Sequence, residues 1–332
     1  KIVSLTENGN ESYLGLTYED YKANPLRRYA ATQKDLLDMK HNHVSLLHTI
    51  RPGKNVIIHT TAYYSTTFRD WARVNTIGGQ SINNILGNPT QFAIPYQIMI
   101  GQANGSIDYQ SAARTYISKG IQSNAQFSYT NGEVKHKWQL GVRIHSDQAD
   151  RYATRSNYTM TNGTMILNSV GVKGNQENQI RNAHAIASYI NYDIEYKGLK
   201  ISPGVRYERI EFDFQNFGNN DNGRLGAGLR SATNTMSIIL PGIGFNYAFK
   251  NGTDLFAGIH KGFSPPGMPS VNSTTQAKVE TAINYELGYR YDQNGLHIQA
   301  AAFLNDYANI LGSDNMSAGG LGTGDMFNAG NA

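Results

Sequence analysis

The sequence predicts an all-β fold: antiparallel strands forming part of a transmembrane β-barrel. Three observations carry that expectation. Apolar and polar side chains alternate with a period of two. Short and long connections alternate along the chain. The composition is poor in both charge and hydrophobes: 16% charged residues and 39% hydrophobic residues over 332 positions, against about 25% charged in ordinary soluble domains. A wall one residue thick, with one apolar and one polar face, needs no large dry core and tolerates such a composition.

The alternation is clearest from 137 to 145. Trp138, Leu140, Val142 and Ile144 share one face, and Lys137, Gln139, Gly141, Arg143 and His145 share the other. From 190 to 197, Ile190, Tyr192, Ile194 and Tyr196 oppose Asn191, Asp193, Glu195 and Lys197. The same split recurs at Ile201, Pro203, Val205 and Tyr207, then at Ile239, Pro241, Ile243, Phe245 and Tyr247, and again at Ile283, Tyr285, Leu287, Tyr289 and Tyr291. A soluble β-sandwich also alternates. Here the polar face carries full charges over long segments, and the apolar face often ends in tyrosine or phenylalanine, as at the aromatic girdle of a lipid-facing strand. Arginine on a lipid face costs about 2–4 kcal/mol at the bilayer midplane, so the charged face belongs to the lumen.

Polar turns rich in glycine and asparagine fall at 51–55, 130–133, 196–199, 250–254 and 292–295, which is hairpin chemistry. Between them lie long stretches at 18–40, 72–119, 148–181, 216–233 and 264–281, expected to be irregular. Short inner turns and long outer loops are the barrel pattern; a Greek-key sandwich does not require it. About eleven strands result: 4–16, 43–50, 56–71, 121–129, 137–148, 183–196, 200–214, 234–249, 254–263, 282–291 and 296–310, within one partial barrel domain over 1–332. The tail from 313 to 332, rich in glycine, alanine, serine and asparagine, reads as an outer loop.

Several classes are excluded. With no cysteine there is no disulfide, thiolate metal site or cysteine nucleophile. No apolar run approaches the ~18 residues of a transmembrane helix. The net charge of +4 is mild and unclustered, unlike the basic stripe of a nucleic-acid binder. No nucleophile elbow, phosphate loop or zinc-protease pattern occurs, and no enzyme activity or cofactor is expected. The residues before 5 do not form a signal peptide; an exported protein would have lost one.

Specific residues then point to a family. Tyr13-Leu14-Gly15-Leu16-Thr17, Asn24-Pro25-Leu26-Arg27-Arg28-Tyr29-Ala30-Ala31 and the stretch from Leu199 to Glu208 resemble the barrel of ferric dicitrate transporters, a branch of the TonB-dependent receptors. Phe256 to Pro266 is similar to a strand common across that family. Asn284-Tyr285-Glu286-Leu287-Gly288-Tyr289-Arg290-Tyr291 and Phe303-Leu304-Asn305-Asp306-Tyr307 come next, in the family's usual order. The resemblance covers almost the whole chain. It implies a barrel of about 22 strands filled by an N-terminal plug, with the plug, the TonB-binding segment and the last strands outside these residues. It also implies a bacterial outer-membrane receptor that imports a ferric chelate, ferric citrate in this branch, energised through TonB, with lipopolysaccharide and outer-membrane lipid around it. The alternatives are a passive porin, or a receptor of the same family for a siderophore, haem, cobalamin or glycan.

An anionic ferric chelate needs cations, and arginine's planar fork suits carboxylates. Arg69 is the first candidate. It lies at the upper end of the strand 56–71, on the parity opposite to Val56, Ile58, Thr60, Ala62 and Tyr64, hence toward the lumen. Ferric citrate members carry a ligand-contacting arginine at the matching place; a wall arginine paired with a carboxylate is the competing reading. Arg73, Arg114, Arg27 and Arg28 are further candidates at outer loop bases; the Arg27-Arg28 pair suits lipopolysaccharide phosphates or plain solvation equally. Arg151, Arg155 and Lys173 have no matched place in the family pattern. His41, His43 and His48 with Asp38 form a weak metal-like grouping, read as a solvated loop because a catalytic zinc needs three converging ligands.

Overall fold

The computed structural model describes residues 1–271, 276–313 and 326–332. In chain order come β1 (Ile2–Gly9), α1 (Tyr18–Ala23), a 3-10 turn (Ala30–Thr32), β2 (Leu36–Gly53), β3 (Val56–Ile77), β4 (Gln80–Ser81), α2 (Ile82–Gly87), α3 (Ala93–Met99) and β5 (Gly105–Ser111). Next are β6 (Arg114–Asn131), β7 (Val134–Thr161), β8 (Thr164–Ser169), β9 (Glu177–Tyr196), β10 (Leu199–Asn216) and β11 (Arg230–Ala248). The chain continues through β12 (Thr253–Ser264), β13 (Glu280–Gln293), β14 (Leu296–Ala308), β15 (Leu311–Ser313) and β16 (Met326–Asn328).

Every pairing in the 14-stranded sheet is antiparallel, and neighbouring strands follow chain order from β1 to β14. Strand β3 changes partner along its length. Over its lower part it pairs with β6, ending at Arg69↔Arg114. Above that, Ala72 to Ile77 pair with β5, and β5 in turn pairs with the upper end of β7. The wall therefore continues as an extended sheet beyond its main body.

The five short turns form where expected, closing β2–β3, β6–β7, β9–β10, β11–β12 and β13–β14. Lys197 and Gly198 hold φ of 46° and 87°, and Asn294 and Gly295 hold 55° and 77°. Two consecutive positive φ values match the tight primed turn whose twist suits a hairpin. Along the wall, side chains on the apolar face stay exposed: Leu140 50%, Ile144 55%, Ile186 49%, Ile239 59%. An apolar face left uncovered over many strands is what a lipid solvent permits.

Four expectations need correction. The first strand stops at Gly9 instead of running to residue 16, because residues 10–16 leave the ladder to reach the outer cap. The second begins at Leu36, not residue 43: the ladder with β3 persists through polar residues such as Lys40 and His41, where hydropathy alternation fades but backbone pairing does not. The stretches 72–119 and 148–181 are not irregular. They hold β4, α2, α3, β5 and β8, and the long upper ends of β3, β6, β7 and β9. The tail contains a short hairpin of β15 with β16; its residues 314–325, and residues 272–275 of the preceding loop, lie outside the described residues.

The buried core sits in this upper extension. Ala72, Val74, Ile77, Ile107, Tyr109, Met160 and Met165 pack against Tyr29, Ala31, Ile85, Ile98 and Met99 from α2, α3 and the segment after α1. Helix α1 starts at Thr17, whose side chain accepts a hydrogen bond from the Asp20 amide, and α2 starts at Ser81, capped likewise from Asn84. These are the residue types that satisfy the free amides of a first turn. Asp20, nearly buried, accepts from Tyr29 (2.6 Å), Tyr96 (2.7 Å) and Thr17 (3.0 Å), and pairs with Arg27 at 2.5 Å. That network locks the helical cap to itself.

Candidate functional site

Ala72 and Val74 face the capped core, so the residues alternating with them, Trp71 and Arg73, face the opposite, inner side. Arg69 shares that inner parity. The register sets three arginines in a row across adjacent strands: Arg69 on β3 opposite Arg114 on β6, and Arg114 opposite Arg151 on β7. The row continues to Gln179 on β9, and on the other side to Met39 on β2. Arg181, two residues along β9, lies on the same face. It donates to Gln179 Oε1 at 2.7 Å and stacks over Phe214, 5.2 Å from the ring centre.

Neighbouring strands are about 4.8 Å apart, and like charges directly opposite one another destabilise a sheet. The one carboxylate that ion-pairs with the row, among the described residues, is Glu177. It lies 2.9 Å from Arg151 and 3.5 Å from Arg114. Arg69 has no ion pair among the described residues; its guanidinium lies 6.0 Å from the Trp71 ring. The Nε atoms of Arg69, Arg114 and Arg151, and the indole nitrogen of Trp71, are buried without a hydrogen-bond acceptor. Unsatisfied buried donors cost roughly 1–3 kcal/mol each, and these lie in a row on the inner face.

Aromatic rings frame the row. Arg73 lies over Tyr13 and Trp71, at 4.7 and 4.8 Å, and Tyr13 meets Trp71 edge-on at 5.1 Å. Above them Asp35 is buried, accepting from Ser12 Oγ at 2.8 Å and from the Val74 amide at 3.2 Å. Burial pushes its carboxyl up to about 6, while those hydrogen bonds and the charges of Arg28 and Arg73 pull it down.

Parity in the sequence puts Arg69 toward the lumen, with Arg73 and Arg114 expected at outer loop bases; in the structure Arg114 lies opposite Arg69, and Arg73 shares the Trp71 ring with Arg69. Arg27 and Arg28 do not join them. Arg27 is committed to Asp20, and Arg28 is exposed on the connection after α1. The family pattern gives Arg151 no place, and nothing within a single segment points to Arg181 or Glu177. The missing signal lies in the turn at Gly132: counting outward along the hairpin puts Arg114 opposite Arg151. The histidines stay apart from this row, and they lie on strand β2 instead of the solvated loop expected of them, because the backbone ladder with β3 runs through them. His41 bonds Thr67 at 2.8 Å and His43 bonds Ser65 at 2.6 Å, side chain to side chain across β2 and β3. On the inner face lower down, Tyr63, Arg143, His145 and Asp147 form one hydrogen-bonded chain.

A continuous antiparallel wall with an uncovered apolar face, and a polar face bearing an arginine row under a structured rim, defines an outer-membrane-type β-barrel. The chain belongs to the family described as TonB dependent receptor-like, beta-barrel, whose model matches residues 4–332. That family is a class of bacterial outer-membrane receptors and transporters, not enzymes. Among solved structures, the siderophore receptor PiuA from Acinetobacter baumannii superposes with a TM-score of 0.70 at 14% identity, over 99% of this chain and 49% of that one. The ferric-catecholate import receptor Fiu from E. coli K12 in its closed form gives 0.67 at 14%, over 99% and 50%. The unliganded ferric citrate transporter FecA gives 0.64 at 19%, over 93% and 40%. The chain spans about half the length of these structures or less, and at these identities the likeness is one of fold. No curated protein sequence matches the chain.

Proposed function

We propose that the full-length protein is an outer-membrane importer of an anionic ferric chelate, with ferric citrate as its substrate. Import is energised through TonB by way of a plug lying outside this chain. The single observation that supports the reading is the register-aligned row Arg69, Arg114 and Arg151, which carries buried donors without acceptors at the upper end of the inner wall. A tricarboxylate complex presents many acceptor oxygens in one rigid shape, and arginine forks meet carboxylates two bonds at a time. Arg73, Trp71 and Tyr13 supply a cationic and aromatic side to the same site. A passive anion pore would also use an arginine row, but the family membership favours the receptor reading.

The fluorescence of the protein gives a direct test, because Trp71 is one of only two tryptophans in the chain. Titration with ferric citrate should quench it saturably. Arg69→Ala should weaken binding by roughly 10- to 100-fold, the worth of a charged hydrogen bond of about 1.5–3 kcal/mol. Unchanged affinity in that variant would remove Arg69 from the site, and absence of any ferric citrate binding would reject the substrate.

A further inference from the structure

Glu177 is placed as a ligand would be. It is the first residue of β9, where the strand begins after the bend at 170–176. Its two oxygens divide between two arginines, one to Arg151 and one to Arg114. Its side chain is 18% exposed and lies outside the apolar core. It satisfies the row only in part, since the Nε atoms of both arginines stay without an acceptor and Arg69 is not reached.

We infer that Glu177 is a built-in stand-in for the ligand. It is an internal carboxylate that occupies the arginines in the empty protein, and an incoming polyanion displaces it. The inference rests on the proposed anion-binding role of the row. Its physical content is competition: Glu177 compensates two of the three guanidinium groups in the empty site, and only an anion with more acceptors than one glutamate gains by entering. Monocarboxylates are thereby rejected and multidentate chelates admitted, which makes Glu177 a specificity residue that contacts no ligand.

The neighbouring residue anchors a loop on the other face of the wall. Asn178 points to the opposite face and is 1% exposed. Its amide donates to the carbonyls of Gly218 (3.1 Å) and Asp221 (2.8 Å), and its oxygen accepts from Arg224 at 2.8 Å. The loop 217–229 is held there by Asn178 together with Asp150, whose carboxylate takes Arg224 at 2.6 and 3.1 Å.

The test compares the full-length wild-type protein with Glu177→Gln and Glu177→Asp, using ferric citrate, citrate alone and acetate as probes in equilibrium titrations. Heat-modifiable gel migration checks that each variant is folded. The expected result is tighter binding of ferric citrate to Glu177→Gln, by roughly 10-fold, with acetate gaining measurable binding. Glu177→Asp, one methylene shorter and unable to bridge both arginines, should fall between. If wild type binds ferric citrate and Arg69→Ala loses it, yet Glu177→Gln binds no tighter or more weakly, Glu177 is a structural ion pair and the stand-in role is overturned alone. If neither wild type nor Glu177→Gln binds any probe, the anion-binding role of the row falls with it.

Discussion

A single face of one strand carries two opposite solutions to the same problem. On β3, Tyr64 is 45% exposed, whereas Ala72, Val74 and Ile77 further along are 8%, 6% and 0% exposed. The lower apolar face has no protein over it, and the upper one is roofed by α2, α3 and the segment around Tyr29. Oil is a sufficient partner for an apolar side chain in the membrane, and water is not. Where the strands rise beyond the bilayer, the chain has to supply a cover of its own. The cap is thus the cost of continuing a barrel wall into water, and by bracing the upper strands it holds the arginine row in register.

The cap should be the easier of the two regions to break. Met99, fully buried in it, is expected to cost about 2–5 kcal/mol on Met99→Ala. Limited proteolysis should then cut between 82 and 104 while heat-modifiable migration of the barrel persists. Loss of both together would show that cap and wall form one cooperative unit. Next in size, Ile144→Arg on the uncovered wall should cost about 2–4 kcal/mol and lower assembly into the outer membrane, although a 55% exposed residue on a water-facing surface would tolerate the change. Normal assembly of that variant would place this face in water and sink the barrel reading.

The smallest effect concerns pH. Asp35 has a folded-state pKa raised from 3.8 to about 6 by burial. The folded cap therefore binds its proton more tightly than the unfolded chain does. Its contribution is fully present below about pH 3.8 and is lost as pH rises through about 6, an effect on the order of 1–3 kcal/mol. Amide protection around residues 12 and 74, measured relative to the intrinsic exchange rate at each pH, should fall from pH 4 to pH 6.5 in wild type, and Asp35→Asn should flatten that dependence. An equal slope in the variant would assign it to another group.

The lower wall was legible in the sequence because lipid imposes the plainest rule in protein chemistry, one apolar residue in every two. The expected alternations at Trp138 to Ile144 and at Ile190 to Tyr196 are the observed ones. The cap was not legible. Within 72–119 the strands β4 and β5 are short and interrupted by α2 and α3, so the alternation of Ile107 and Tyr109 with Asp108 and Gln110 is too brief to read as a wall strand. The site was half legible for the same reason. Parity within β3 gave Arg69 its direction, whereas Arg151 and Arg181 needed the register across strands, a property of pairs that no single segment displays.

The register also sets how the strands lean. A continuous line of paired residues runs from Ile57 through Gln126, Gln139, Asn191, Gly204, Gly242, His260 and Asn284 to Asn305. Ile57 stands next to the start of β3, while Asn305 is far along β14. Across the eight strand-to-strand steps the line slides by about eight residues, roughly 26 Å of climb over roughly 38 Å of width. That ratio inclines the strands by about 35° to the axis, within the range of closed barrels. The wall is therefore threaded like a screw. Amides that are neighbours by hydrogen bond sit at different depths, so a solute descending straight down the axis meets them as a spiral stair and not as a set of rings.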